Sequence, residues 1–254
     1  MYIGYDYFFW NEYQEKIGID IDLKSHPSLL LTGASGSGKS YALKWILKNL
    51  LKNQVNLTFC NFKKSDDFKF LNNFDRYYSY LGCEKGLAEF FQQFKERQTE
   101  DIEFNEKFSI LVFDEYPAFI LSTSITDKKL SEKYKTMISE ILMLGRSYGF
   151  GIWLIMQRPD AAFLANGARD NFHSTISLGN LSKEAKSMLY GGEELPNHVY
   201  NFGEGVCWVD GIGFREIKFP KISNMALLEQ NILSRLTDAT ARERMSGGSL
   251  DLYT

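Results

Sequence analysis

The sequence has few cysteines, few histidines, no long apolar run and no excess of basic residues, and each shortage argues against a class of protein. The three cysteines, Cys60, Cys83 and Cys207, are far apart in the chain, so they predict neither a disulfide framework nor a zinc site. The three histidines are equally scattered and suggest no metal ligands. The formal net charge of -3 argues against a passive nucleic-acid coat, which is normally basic.

The N-terminus and the apolar runs bear on where the chain resides. The opening residues MYIGYDYFFW lack a basic flank and are soon followed by charge, so no signal peptide is predicted. No apolar run approaches the roughly 20 residues that a membrane span needs. Cys60 and Cys207 lie in apolar runs and are read as buried thiols in a reducing compartment. These features predict a soluble, cytoplasmic protein without membrane insertion.

Apolar runs separated by helical patterns predict an α/β fold. Buried strands are expected in the segments 28–32, 57–62, 109–114, 151–156 and 174–178. Strands that are apolar on both faces, with helices between them, indicate a mostly parallel sheet covered on both sides. We expect one domain over residues 1–245, with lead-in strands in 1–27 and a flexible tail at 246–254. The last helix, 224–244, would pack on this core or on a neighbouring subunit.

A glycine-rich loop after the first buried strand carries the strongest chemical signal. It matches the phosphate-binding pattern G-x-x-x-x-G-K-[ST] at every fixed position, with the residues Gly33, Ala34, Ser35, Gly36, Ser37, Gly38, Lys39 and Ser40. The glycines let backbone N–H groups point at phosphate oxygens, and the following helix offers its N-terminus to the anion. Lys39 would reach the β- and γ-phosphates of ATP, and Ser40 would bind Mg²⁺.

Polar residues that end two later strands complete the predicted site. Asp114 and Glu115 follow four apolar residues, which is the Walker B pattern. Asp114 would hold the Mg²⁺ and Glu115 would polarise the attacking water. Gln157 ends the next buried strand, where a neutral amide could contact the γ-phosphate and that water. The alternative for Gln157, a polar turn residue before Pro159, stays open.

Several of these segments together resemble the additional-strand P-loop ATPases of the FtsK/SpoIIIE and HerA group. The similarity covers most of residues 3–220 and rests on the loop entry at 26–33, Arg146-Ser147-Tyr148-Gly149, Gln157-Arg158-Pro159 and Gly203-Glu204-Gly205. The Gln-Arg-Pro signature is the most specific element. Asn61-Phe62-Lys63 stands where the family carries Asp-Pro-Lys, so Asn61 is a departure from its pattern.

The resemblance implies a RecA-like domain that forms a hexameric ring and translocates double-stranded DNA. Arg146 would then be an arginine finger at a subunit interface, or an arginine that complements a helix dipole. Lys63 would approach phosphates, or is a solvated surface lysine. Loops facing the pore, at 122–133 with Lys128 and Lys129 and at 160–169 with Arg169, would contact DNA phosphates. Membrane anchoring or recognition of a DNA sequence would come from partner proteins.

Three other functions compete with a DNA translocase of a mobile element. A viral genome-packaging ATPase belongs to the same broad group, and the residues barely separate the two. A secretion or assembly ATPase acting on protein would hydrolyse ATP without responding to DNA. A small-molecule kinase shares the P-loop, but it needs no glutamate directly after the Mg²⁺-binding aspartate and would carry an arginine-rich lid, which this sequence lacks.

Overall fold

The computed structural model describes residues 1–99, 107–163, 168–191, 195–196 and 199–247. Within these residues the strands are β1 (Tyr2–Asp6), β2 (Gly18–Asp20), β3 (Leu29–Gly33), β4 (Val55–Asn61), β5 (Tyr77–Ser79), β6 (Phe108–Asp114), β7 (Phe150–Met156), β8 (Ser174–Leu178), β9 (Glu204–Val209) and β10 (Gly213–Lys218). The helices are α1 (Tyr7–Tyr13), α2 (Lys39–Leu50), α3 (Gly82–Thr99), α4 (Tyr116–Thr126), α5 (Lys128–Leu144), α6 (Lys183–Tyr190) and α7 (Met225–Gly247).

The described strands form one 10-stranded sheet in the order β2-β1-β10-β9-β8-β3-β7-β6-β4-β5. The strands from β8 to β5 run parallel to one another, whereas β9, β10, β1 and β2 extend the sheet by antiparallel pairing. β3, β6, β7 and β8 are buried at every position. This confirms the predicted α/β fold with a mostly parallel central sheet and additional strands.

Helices cover both faces of the sheet, as the strand patterns predicted. Alternate residues of β3 point to opposite sides, so Leu29 and Leu31 join one hydrophobic cluster and Leu30 joins the other. The first cluster includes Ile46 of α2 and Ile232 of α7. The second cluster includes residues of α3, α4 and α5, namely Phe90, Phe119 and Ile138. The last helix therefore packs on the core of its own chain.

The first 27 residues contain two strands and also a helix that the sequence pattern did not reveal. β1 pairs with β10, and β2 forms the edge of the sheet. Between them α1 is capped by Asp6, whose side chain accepts a hydrogen bond from the Phe9 N–H at 3.2 Å. At the other terminus α7 runs through Gly247, two residues into the predicted tail, and 248–254 lie outside the described residues.

The segment 122–133 is helical, which corrects the prediction of a polar loop carrying Lys128 and Lys129. α4 and α5 are joined at Asp127, whose side chain accepts a hydrogen bond from the Leu130 N–H at 3.0 Å and so caps α5. Ser131 then ties the two helices together by donating to the Ile120 carbonyl at 3.2 Å. The polar residues that suggested a loop are thus capping and helix-contact residues.

The second predicted DNA-contacting segment, 160–169, is described in part. It contains a 3₁₀ helix at Ala161–Phe163, and another begins at Ala168, whereas 164–167 lie outside the described residues. The side chain of Arg169 is also outside them. Cys60, Cys83 and Cys207 are free and buried, as predicted for the first and last of them. No helix in the described ranges is long and apolar enough to cross a membrane.

Candidate functional site

The phosphate-binding loop connects the central strand β3 to α2, in the strand–loop–helix context that the motif requires. Gly33 passes so close to β8 that a β-carbon would lie 2.6 Å from the Leu178 carbonyl oxygen. Gly38 has a φ of 100°, a conformation that side-chain-bearing residues rarely adopt. The glycines at these two positions are therefore required by backbone geometry.

Lys39, the first residue of α2, folds back over the loop. Its Nζ donates hydrogen bonds to the carbonyl oxygens of Gly33 at 2.6 Å and Ala34 at 2.9 Å. Burial lowers the pKa of Lys39, an effect opposed by the nearby carboxylates of Glu115 and Asp114. The ammonium group is thus half-buried between the loop and the acidic pair, where an anionic phosphate would be a better partner than two carbonyls.

Asp114 and Glu115 lie at the carboxyl end of β6. Asp114 is only 8% exposed. Its burial, and next the charge of Glu115, raise the pKa of Asp114 to about 7, although Lys39 opposes the shift. A cation beside Asp114 would favour its ionised form. Glu115 has a left-handed backbone, with φ 59° and ψ 43°, and its N–H donates to the Ile155 carbonyl at 3.1 Å. Such strain in a residue other than glycine is typical of functional sites.

Gln157 follows the neighbouring strand β7, and its side chain meets the acidic pair. The Gln157 Nε2 donates a hydrogen bond to the Glu115 Oε1 at 3.4 Å. β6 and β7 are adjacent and parallel, so their carboxyl ends deliver both side chains to the same edge of the sheet.

These residues line one cleft of about 420 Å³ at the carboxyl edge of the parallel strands, a size suited to a small ligand. Its lining residues are Ser35, Gly36, Gly38, Lys39, Ser40, Tyr41, Lys44, Lys63, Ser65, Asp67, Asp114, Glu115, Gln157, Phe202 and Met225. The cleft therefore unites the predicted phosphate loop, acidic pair and amide. Lys63, for which two interpretations were open, is among its lining residues.

Arg146 does not belong to this cleft. It lies in the exposed 3₁₀ turn Gly145–Tyr148 before β7, whose first residues form the amino edge of the sheet. The cleft is at the opposite, carboxyl edge. Any contact of Arg146 with a nucleotide would consequently involve the cleft of a different chain.

The oxygen donors in the cleft fit a Mg²⁺ ion. Ser40 offers a hydroxyl oxygen and Asp114 a carboxylate oxygen, and both side chains line the cleft beside Lys39. Hard oxygen donors, few in number and completed by phosphate and water, are what Mg²⁺ prefers.

Asn61, the departure from the family pattern, has a structural role at the end of β4. Its Nδ2 donates to the Ser65 carbonyl at 3.3 Å and to the Tyr77 hydroxyl at 3.0 Å, while its Oδ1 accepts from the Ser65 N–H at 3.3 Å. The amide thereby fixes the turn that carries Lys63 to the cleft. An aspartate could accept from the Ser65 N–H but could not donate to the Ser65 carbonyl.

Sequence reasoning missed several residues of the cleft. Tyr41 directly follows the phosphate loop, so its position in the motif could have suggested it. Phe202 and Met225 come from the turn before β9 and from the start of α7, which are distant in sequence. No local pattern marks them, because only the antiparallel half of the sheet brings them to the loop.

Comparison with known proteins bears on the fold of the chain. No family model matches the chain. The chain is 28% identical to the FtsK domain-containing protein YdcQ of Bacillus subtilis (strain 168) over an alignment of 184 residues, and the match covers 66% of this chain and 37% of YdcQ. The chain thus spans little more than a third of that relative.

Two solved structures share the fold. The conjugation coupling protein TcpA of pCW3, in its monomer form with ATPγS, matches with a TM-score of 0.69 and 21% identity over 92% of this chain and 73% of TcpA. The cytoplasmic domain of the type VII secretion ATPase EccC of Thermomonospora curvata matches with a TM-score of 0.67 and 19% identity over 93% of this chain and 30% of EccC. The chain is thus similar to an FtsK domain-containing protein, and its fold, with the phosphate loop and the acidic pair at one edge of the sheet, is that of the P-loop ATPases.

Proposed function

We propose that the chain is the motor domain of an FtsK-like DNA translocase, which uses ATP hydrolysis in this cleft to move double-stranded DNA in the transfer or replication of a mobile element. The observation that carries the catalytic part is the convergence of Lys39, Ser40, Asp114, Glu115 and Gln157 on one cleft. The N-terminus of α2 supplies the groups that would bind phosphate and metal, and the ends of β6 and β7 supply the groups that would act on water. The cleft therefore suits hydrolysis as well as binding.

The phosphate loop and α2 bind the triphosphate. Backbone N–H groups of the loop and the N-terminus of α2 bind its oxygens, and Lys39 exchanges the Gly33 and Ala34 carbonyls for the β- and γ-phosphates. Ser40 and Asp114 hold the Mg²⁺. When bound, the ion supplies positive charge that stabilises the negative charge developing on the phosphates.

Glu115 activates the attacking water and Gln157 positions it. The left-handed turn at Glu115 directs the residue out of β6 just beyond Asp114, so the carboxylate lies in the cleft beside the metal-binding residue. The hydrogen bond from Gln157 fixes the orientation of this carboxylate. A water held between the Glu115 carboxylate and the Gln157 amide would face the γ-phosphate.

Arg146 would complete the site of a neighbouring subunit in a ring, and a hexamer is the assembly that the family resemblance implies. No arginine is found among the described residues that line the cleft. Arg146 is exposed at the opposite edge of the sheet. Head-to-tail packing of subunits around a ring would juxtapose such unlike surfaces.

DNA is proposed as the molecule that this motor moves, because TcpA, a conjugation coupling protein, shares the fold over most of this chain. Lys128 and Lys129, in the first turn of α5, and Arg169 remain the proposed phosphate contacts. The likeness to EccC supports a second candidate, a secretion ATPase that acts on protein. A viral genome-packaging motor is a third candidate, because it too would use a phosphate loop and an acidic pair to hydrolyse ATP.

The test is steady-state ATP hydrolysis at low salt with and without long double-stranded DNA. We expect DNA to stimulate turnover several-fold in the wild type, with Glu115→Gln binding ATP but not hydrolysing it and Lys39→Ala failing to bind it. Turnover that ignores DNA would contradict the translocase and favour the secretion ATPase. Normal turnover by Glu115→Gln would contradict the assignment of the base.

A further inference from the structure

An exposed aromatic side chain, Phe202, lies beside the phosphate loop and has no part in the chemistry described above. It lines the cleft although 59% of its surface is exposed. Two of its ring carbons lie 3.3 Å from the point where Gly38 would carry a β-carbon. An aromatic side chain that lines a cleft and is open to solvent is available to contact a ligand bound there.

The turn that carries Phe202 is hydrogen-bonded to the phosphate loop. The Gly203 N–H donates to the Ser37 carbonyl at 3.0 Å, which joins the turn directly to the phosphate-binding segment. On the other side of Phe202, Asn201 donates to the Glu204 carboxylate from its N–H at 3.0 Å and from its side chain at 3.1 Å. Glu204 also pairs with Lys218 at 3.0 Å. These bonds fix the backbone of the turn from which the Phe202 ring projects.

Tyr41 supports the Phe202 ring from the side of α2. The two rings meet edge to face, with centroids 5.2 Å apart and an interplanar angle of 70°. The Tyr41 hydroxyl donates to the Pro220 carbonyl at 2.8 Å and accepts a hydrogen bond from the Ile222 N–H. Met225 adds a third apolar surface to this end of the cleft. Phe202, Tyr41 and Met225 form what we call the aromatic end of the cleft.

The order of the strands places the aromatic end opposite the catalytic residues. β3, which carries the phosphate loop, has β7 and β6 on one side; Gln157 directly follows β7, and β6 ends in Asp114. On its other side are β8 and β9, and Phe202 precedes β9 at the same edge, where Gly205 pairs with Leu178. A triphosphate on the loop with its γ-phosphate towards Glu115 would therefore extend its nucleoside towards Phe202.

We infer that Phe202, supported by Tyr41, is the stacking surface for the base of the bound nucleotide. The inference rests on the proposed function, since it requires that the loop bind a nucleoside triphosphate. An aromatic face contacts the π-surface of any base, so this contact supplies affinity with little choice between purines. The docking of the turn on Ser37 also gives base and phosphates a fixed separation.

The test compares ligands with and without a base in a protein that does not hydrolyse them. In a Glu115→Gln background, affinities for Mg-ATP and for inorganic tripolyphosphate are measured by calorimetry, with and without Phe202→Ala. We expect Phe202→Ala to weaken ATP binding about 5- to 100-fold and to leave tripolyphosphate binding unchanged. Phe202→Tyr should retain ATP affinity, and Phe8→Ala, which removes an exposed aromatic outside the cleft, should have no effect.

Unchanged ATP affinity in Phe202→Ala would overturn the inference while leaving the proposed function intact. An equal loss of ATP and tripolyphosphate would overturn it too, because Phe202 would then only support the loop. If the parent protein bound neither ligand, the proposed function itself would fail. Lys39→Ala, which should lose both ligands, shows that the tripolyphosphate signal comes from the phosphate loop.

Discussion

The side-chain amide of Gln157 donates a hydrogen bond to the carboxylate of Glu115 at 3.4 Å, across the ends of two adjacent parallel strands. The pair joins the two residues proposed to handle the attacking water. Glu115 makes a second bond to the same neighbouring segment, since its own N–H donates to the Ile155 carbonyl of β7. The orientation of the base therefore depends on β7 as well as on its own strand.

Replacement of Gln157 should impair hydrolysis more than nucleotide binding. Gln157→Ala removes the donor that orients Glu115, so we expect kcat to fall about 100-fold with KM for ATP little changed. Gln157→Glu keeps the shape but sets a second negative charge against Glu115, and should be at least as defective. Steady-state ATPase kinetics together with ATP affinity separate the two effects. A raised KM with normal kcat would show that Gln157 serves binding only.

Acid should weaken the turn that carries Phe202, through Glu204. Burial alone would raise the pKa of Glu204, but hydrogen bonds from Asn201 and the Lys218 ammonium lower it below its ordinary value of 4.5. The folded state therefore favours the ionised form. The resulting stabilisation is present above pH 4.5 and is lost as the pH falls through the lowered pKa of the folded protein.

Glu204→Gln tests this pH dependence. The variant should be less stable at neutral pH by about 1–3 kcal/mol, because charge-assisted hydrogen bonds are lost. The difference from wild type should shrink below pH 4.5, as measured by urea unfolding across the pH range. Glu132→Gln, which removes an exposed carboxylate paired with Lys135, should show almost no change. If Glu204→Gln were destabilised by the same amount at every pH, the stabilisation would not come from the ionised carboxylate of Glu204.

Removal of the hydroxyl group should change the stability of the protein in opposite directions at two buried tyrosines. The Tyr116 hydroxyl is buried without a hydrogen-bond partner among the described residues, whereas the Tyr190 hydroxyl donates to the Ser177 Oγ at 2.8 Å. Tyr116→Phe should raise the free energy of unfolding by about 1 kcal/mol, and Tyr190→Phe should lower it by a similar amount. Chemical denaturation measures both. Destabilisation by Tyr116→Phe would indicate a partner for its hydroxyl.

The proposed role of Arg146 at a neighbouring cleft predicts complementation between two inactive proteins. Arg146→Ala should bind ATP normally but lose turnover by about a thousandfold. Mixed with Lys39→Ala, it should regain activity, because some interfaces then join an intact phosphate loop to an intact Arg146. Random assembly would restore about a quarter of the interfaces of a ring. A mixture no more active than its components would rule out the role in trans.

Local sequence patterns predicted much of the fold, and they also predicted the phosphate loop, the acidic pair and Gln157 in the cleft. Apolar strands such as β6 and β7 are marked by their residues alone, and the phosphate loop has a fixed spacing. Contacts made across the sheet have no such mark. Phe202 reaches the loop only through antiparallel pairing of β9, and α1 has aromatic residues in a pattern that does not distinguish helix from strand. The helical hairpin at 122–133 was missed because capping residues and loop residues are chemically alike.

The central claim, that ATP hydrolysis in this cleft moves the protein along double-stranded DNA, is tested most directly by displacement of a triplex-forming oligonucleotide from a long duplex. We predict that the wild-type protein displaces the oligonucleotide only when ATP is present, and that the rate of displacement increases with protein concentration. Glu115→Gln should displace none. Vigorous ATP hydrolysis without displacement, on duplexes that the protein binds, would contradict the central claim.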